Sequence, residues 1–178
     1  LDTAEMAART VIPTLSPSMD IQVSSNFERL LFNLLGRDGR AVAAWVRAFR
    51  ATGAARLDDS AMARARALFA AARLDDDGTR RVIAEAYRAH GILIDPHSAV
   101  GLHAGRARRD PDSPLVALAT AHPAKFPDAV KAATGVAPAL PPHLADIFTR
   151  KERLIVLPND LAAVQEHIRD AATRTRAA

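Results

Sequence analysis

The sequence has no cysteine, which excludes disulfides, thiolate nucleophiles and thiolate metal sites and agrees with a cytosolic setting. Aromatic residues make up only 4% of the 178 positions, while much of the 49% that is hydrophobic is alanine. Small apolar side chains with few rings suit closely packed helices better than a β-sandwich. No stretch approaches the roughly 18 consecutive apolar residues that span a bilayer, and no charged-then-apolar leader opens the chain, so neither a membrane nor secretion is expected. Lysine is scarce: Lys125, Lys131 and Lys151 are the complete set. The eight glycines never gather into a phosphate-binding loop. No Ser/His/Asp nucleophile elbow occurs, and His90, His103, His143 and His167 lack the spacing of metal ligands.

Basic residues are plentiful, and almost all of them are arginine. The formal net charge of +4 raises nucleic acid as a partner. Arginine, however, alternates with Asp and Glu along helical stretches, as on a solvated surface. The one dense cluster, Arg106-Ala107-Arg108-Arg109, has no interleaved aromatics on which bases could stack. Nucleic acid is therefore not expected.

The length suits one domain with a real core and is short for two. Residues 1–90 read as mainly helical, apart from a short strand over Thr10–Leu15 that follows a helical stretch ending at Ala8. Ser25-Asn26-Phe27-Glu28 has the form of a capping box opening a helix that Gly36 closes. Asp38 can cap a second helix, in which Val42, Trp45, Val46 and Phe49 recur at helical spacing. A third helix begins at Asp59 or Ser60. A fourth, capped by Asp76 or Asp77, runs to Gly91.

From Gly91 the pattern changes to alternating strand and helix. The predicted strands are Ile92–Ile94, Leu115–Ala119 and Arg153–Leu157; the predicted helices are His97–Arg109, Pro127–Thr134 and a last one capped by Asn159 or Asp160 that frays into an Arg/Ala tail. Pro96 falls at an early helical position where its missing N–H costs nothing. A Pro-rich surface connection occupies Val136–Pro142. The expected class is α/β: a helical layer followed by strand/helix units whose few strands would form one edge of a larger parallel sheet.

Two places could carry chemistry. Thr120 ends the apolar run Leu115-Val116-Ala117-Leu118-Ala119, so its hydroxyl would stand at the C-terminal rim of a sheet, where ligands of open α/β folds collect. The alternative is a threonine that caps the following turn. Asp95 and His97 lie just past another apolar run, at a helix N-terminus that favours anions; here the alternative is that Asp95 or Ser98 caps the helix. Ser16, Ser18, Asp20, Ser24, Ser25 and Asn26 could together meet a small anion.

Four phrases in order resemble threonine synthase of the fungal and bacterial type. They are Thr14-Leu15-Ser16-Pro17-Ser18-Met19-Asp20-Ile21 running into Ser24-Ser25-Asn26-Phe27-Glu28-Arg29-Leu30; Asp95-Pro96-His97-Ser98-Ala99-Val100-Gly101; Thr120-Ala121-His122-Pro123-Ala124-Lys125-Phe126; and Glu152-Arg153-Leu154. The resemblance implies the C-terminal part of a three-layer, tryptophan-synthase-β-like fold that uses pyridoxal 5'-phosphate. It implies conversion of O-phospho-L-homoserine and water to L-threonine and phosphate, in the cytoplasm. Thr120 matches the family position that meets the cofactor's pyridine nitrogen, and Asp95 falls on a segment beside the ring. The cofactor-anchoring lysine and the phosphate loop lie N-terminal to everything here in that family. The whole of 1–178 would then be one C-terminal segment, inactive alone, completed by the remainder of the same polypeptide. The competing expectation is a non-catalytic helical interaction module on the same scaffold.

Overall fold

A computed structural model describes residues 3–176, which form two units divided after Ala139, within the Pro-rich connection. In the first unit, β1 (Glu5–Ala7) pairs antiparallel with β2 (Ala54–Arg56), placing Met6 opposite Ala55. Helices α1 (Phe27–Leu34), α2 (Gly39–Thr52) and α3 (Asp59–Leu68) pack around this ribbon. Their core joins Leu31, Leu34, Leu57, Ala61, Met62 and Ala65. Trp45 ties the layer together: its indole N–H donates to the Arg56 carbonyl at 3.1 Å, and its rings meet Phe27 edge-on and Phe49 stacked.

The strand at Glu5–Ala7 corrects the helical reading of the N-terminus. Residues 4–8 find backbone partners in residues 53–57, with Ala8 N–H donating to Gly53 and Leu57 N–H to Ala4. That long-range ladder outweighs local helix preference. Thr10–Leu15, read as a strand, is irregular. The capping box at Ser25 does not form either. Asn26 is already helical, and residues 24–29 enter α1 through tight backbone turns with no side-chain cap.

The remaining helices of this unit are α4 (Asp76–His90), α5 (Pro96–Ala107) and α6 (Pro127–Thr134). Asp75, one residue before the expected position, caps α4 by accepting from Gly78 N–H at 2.7 Å. Gly91, at φ +66°, supplies the left-handed turn that ends α4 and releases the chain into Ile92–Ile94. Val82 and Ile83 of α4 pack with Ala99 of α5, and Ala133 of α6 closes this second core.

Ile92–Ile94 and Leu115–Ala119 carry no regular secondary structure and no ladder partners among the described residues, and the same holds for Arg153–Leu157 in the second unit. Ile94 packs against the second core, whereas Val116 and Leu118 stay open at 78% and 74% exposure. The three strands expected here do not form, because a hydrogen-bonded strand requires a neighbour. Leu115 packs against Gly105 and Thr120 bonds to Ser98, so this segment runs back along α5, antiparallel to it. The sheet among the described residues is the antiparallel β1–β2 pair, and this segment adds no strand to it.

The second unit holds a short turn at Pro142–Leu144 and α7 (Leu161–Arg176). Asp160 accepts from Ala163 N–H at 2.8 Å, which makes it the cap. Ala177 and Ala178, the end of the tail expected to fray, lie outside the described residues. Among the described residues no helix is long and apolar enough to cross a membrane.

A buried carboxylate at the start of α5

Asp95 precedes Pro96, the first residue of α5, and is completely buried. A carboxylate there could persist only if its oxygens were satisfied by donors. Four are present. Oδ1 accepts from Ser98 N–H at 3.2 Å and, over a short contact, from the Ser98 hydroxyl. Oδ2 accepts from His97 N–H at 3.0 Å and from His97 Nδ1 at 2.8 Å. Asp95 is thus the helix cap, and it also grips both side chains of the first turn. Burial pushes its carboxyl up, but the Ser98 hydroxyl, the His97 ring and the two backbone N–H groups outweigh that and hold it below its ordinary value.

The network reaches two other parts of the chain. Ser18 N–H donates to His97 Nε2 at 3.1 Å. Since Ser18 must donate and Asp95 must accept, the ring carries its proton on Nδ1. Its face lies 4.9 Å from the Phe126 ring, centroid to centroid. On the other side, Thr120 N–H donates to the Ser98 hydroxyl oxygen at 3.2 Å. One carboxylate therefore joins the 14–20 loop, the start of α5 and the turn after Thr120.

Thr120 itself is exposed, and its hydroxyl makes no hydrogen bond among the described residues. It does not cap the following turn; His122 does that, accepting from Ala124 N–H at 3.2 Å through Nδ1. The polar residues of the 14–20 loop mostly bond to one another. Thr14 donates to Asp20 through its N–H (2.8 Å) and its hydroxyl (2.7 Å), which closes the loop on itself. Leu15 N–H donates to Asp76 at 3.0 Å, anchoring the loop on α4. Ser24, Ser25 and Asn26 are not part of this network. Sequence reading named Asp95, His97, Ser98 and Thr120 but not the Ser18–His97 bond, which spans 79 positions and has no local signal.

The lowered Asp95 value has a consequence for pH. A carboxyl held low in the folded state contributes stability that is present above its unfolded value, about 3.9, and is lost as pH falls through the folded value. Asp58, Asp110 and Asp146 are also held low, by Ala61 N–H, Asp112 N–H and the Arg150 side chain respectively, so they share the acid dependence. Asp95→Asn is expected to lower stability at pH 7 and to flatten, without abolishing, its fall below pH ~4. Urea midpoints from pH 2 to 7 measure this, and parallel curves for both proteins would contradict it.

Packed helices α4–α6 beside apolar segments without ladder partners, with polar side chains gathered at the start of α5, fit a portion of a layered α/β fold. Comparison with known proteins then specifies which. The family model "Threonine synthase, C-terminal" matches residues 98–168. The chain is 54% identical to threonine synthase of Pseudomonas aeruginosa over 167 residues, which is 93% of this chain and 36% of that protein. It is 37% identical to the Saccharomyces cerevisiae threonine synthase over 168 residues, 81% of this chain and 33% of that one. The crystal structure of pyridoxal-phosphate-bound threonine synthase from Brucella melitensis superposes with a TM-score of 0.82 at 45% identity, covering 95% of this chain and 36% of that one. This chain belongs to the threonine synthase family, as its C-terminal part, and spans about a third of the length of these relatives.

Proposed function

We propose that the complete polypeptide carrying this segment is a cytoplasmic threonine synthase that converts O-phospho-L-homoserine and water into L-threonine and phosphate, and that residues 1–178 supply one wall of its cofactor pocket. The observation that carries this is Thr120: an exposed hydroxyl without a partner among the described residues, fixed through its backbone beside the start of α5. The donor set fits one edge of pyridoxal phosphate, the ring nitrogen. A neutral hydroxyl can donate to or accept from that nitrogen without forcing it to stay protonated, which a carboxylate would do. Asp95 is fully enclosed by its own four donors and so acts behind Thr120 rather than on the ring.

When bound, pyridoxal phosphate supplies an electron sink for carbanions formed on the amino acid. This chain contributes orientation and a polar contact. Its three lysines do not include a match to the family's anchoring lysine, so the segment is inactive alone and the remainder of the polypeptide is its partner. The exposed apolar side chains of Leu115–Ala119 favour that reading, because a sheet neighbour would cover them and complete the ladder.

The test uses a full-length threonine synthase carrying this segment. It should release phosphate from O-phospho-L-homoserine only with cofactor bound. Thr120→Val, which removes one hydrogen bond at nearly constant volume, is expected to weaken cofactor binding roughly tenfold. Unchanged affinity in that variant would remove Thr120 from the site.

A further inference from the structure

Between Leu115 and Ala121, the described residues make one hydrogen bond, from Thr120 N–H to Ser98 Oγ at 3.2 Å. The segment's other fixed point is Leu115, packed on Gly105. The backbone that presents Thr120 is therefore held at the site end by Ser98. The direction of that bond is also determined. Asp95, as a carboxylate, can only accept, so the Ser98 proton points to Asp95 and a lone pair of the same oxygen faces Thr120 N–H. Ser98 is only 7% exposed, and Ala99 beside it packs against Val82 and Ile83. Neither its proton nor its position is free to wander.

We propose that Ser98 is a positioning residue for the Thr120 hydroxyl, with Asp95 fixing the orientation of the Ser98 hydroxyl. The inference rests on Thr120 meeting the cofactor ring, as proposed above, and adds a residue that touches neither cofactor nor substrate. Ser98 acts through the Thr120 backbone. Losing its oxygen leaves the Thr120 N–H without a protein partner and lets the segment shift, so that the hydroxyl meets the ring less often.

The experiment is a double-mutant cycle in the full-length protein, comparing Ser98→Ala, Thr120→Val and the pair. The cofactor dissociation constant is measured by dialysis, and the wavelength of the bound cofactor's visible absorbance maximum is recorded. Ser98→Ala is expected to weaken binding about threefold or more and to move the maximum in the same direction as Thr120→Val. The pair should match Thr120→Val alone, because Ser98 has nothing left to position. A purely structural Ser98 would lower thermal stability while leaving the maximum in place. Effects that multiply, or a Ser98→Ala protein with normal affinity and spectrum, would overturn the inference while leaving the role of Thr120 intact. A normal Thr120→Val protein would overturn both. If Ser98→Ala does not fold, Ser98→Cys takes its place, since a thiol nearly fills the volume but hydrogen-bonds weakly.

Discussion

Asp95→Ala is expected to destabilise the chain by about 3–5 kcal/mol. The truncation removes the α5 cap, itself worth roughly 1 kcal/mol. It also strands the His97 Nδ1–H and the Ser98 hydroxyl in a site where Asp95 has no exposure at all. Each buried donor left unsatisfied costs about 1–3 kcal/mol, partly offset because a desolvated charge has gone too. Against a total stability of roughly 5–15 kcal/mol, the loss takes a large share. Urea or thermal denaturation measures it directly. A loss under about 1 kcal/mol would mean the network is dispensable and that water replaces it at little cost.

Ile83→Ala should cost about 2–5 kcal/mol by lost burial and the cavity left behind. Ile83 has no exposure and sits where α4 meets Ala99 of α5, the residue after Ser98. Its effect should be local to the site as well as global, loosening the first turn of α5. Leu118→Ala is the matched control. At 74% exposure Leu118 contributes little to the isolated chain, and its truncation should stay within about 0.5 kcal/mol. Parallel denaturation curves for the two variants would show that the α4–α5 packing has been misjudged. In a full-length protein the contrast should narrow, since a sheet neighbour would bury Leu118.

Helices were legible where local chemistry decides them. Asp38 at the start of α2, Pro127 and Gly135 around α6, and Gly91 after α4 act within one turn of chain. Strands were less so. Glu5–Ala7 pairs with residues about fifty positions away, and nothing in its own composition announces Ala54–Arg56 as a partner. Leu115–Ala119 shows the converse: its residues are apolar and β-prone, yet no ladder forms among the described residues because pairing belongs to two segments, not one. The capping box at Ser25 fails for a related reason. Its pattern allows a cap, but tight turns through 24–29 already satisfy those backbone groups.

By itself the sequence determined the resemblance to a family and the helix limits set by Asp, Pro and Gly, and it singled out Asp95 and Thr120 as candidates. Each of those follows from side chains acting on neighbours a few positions away, or from phrases kept in order. Only the tertiary structure decided that Asp95 is sealed and satisfied while Thr120 keeps a free hydroxyl, and that Ser98 joins them. Burial and hydrogen-bond partnership arise when distant segments meet, and a one-dimensional pattern contains no distances.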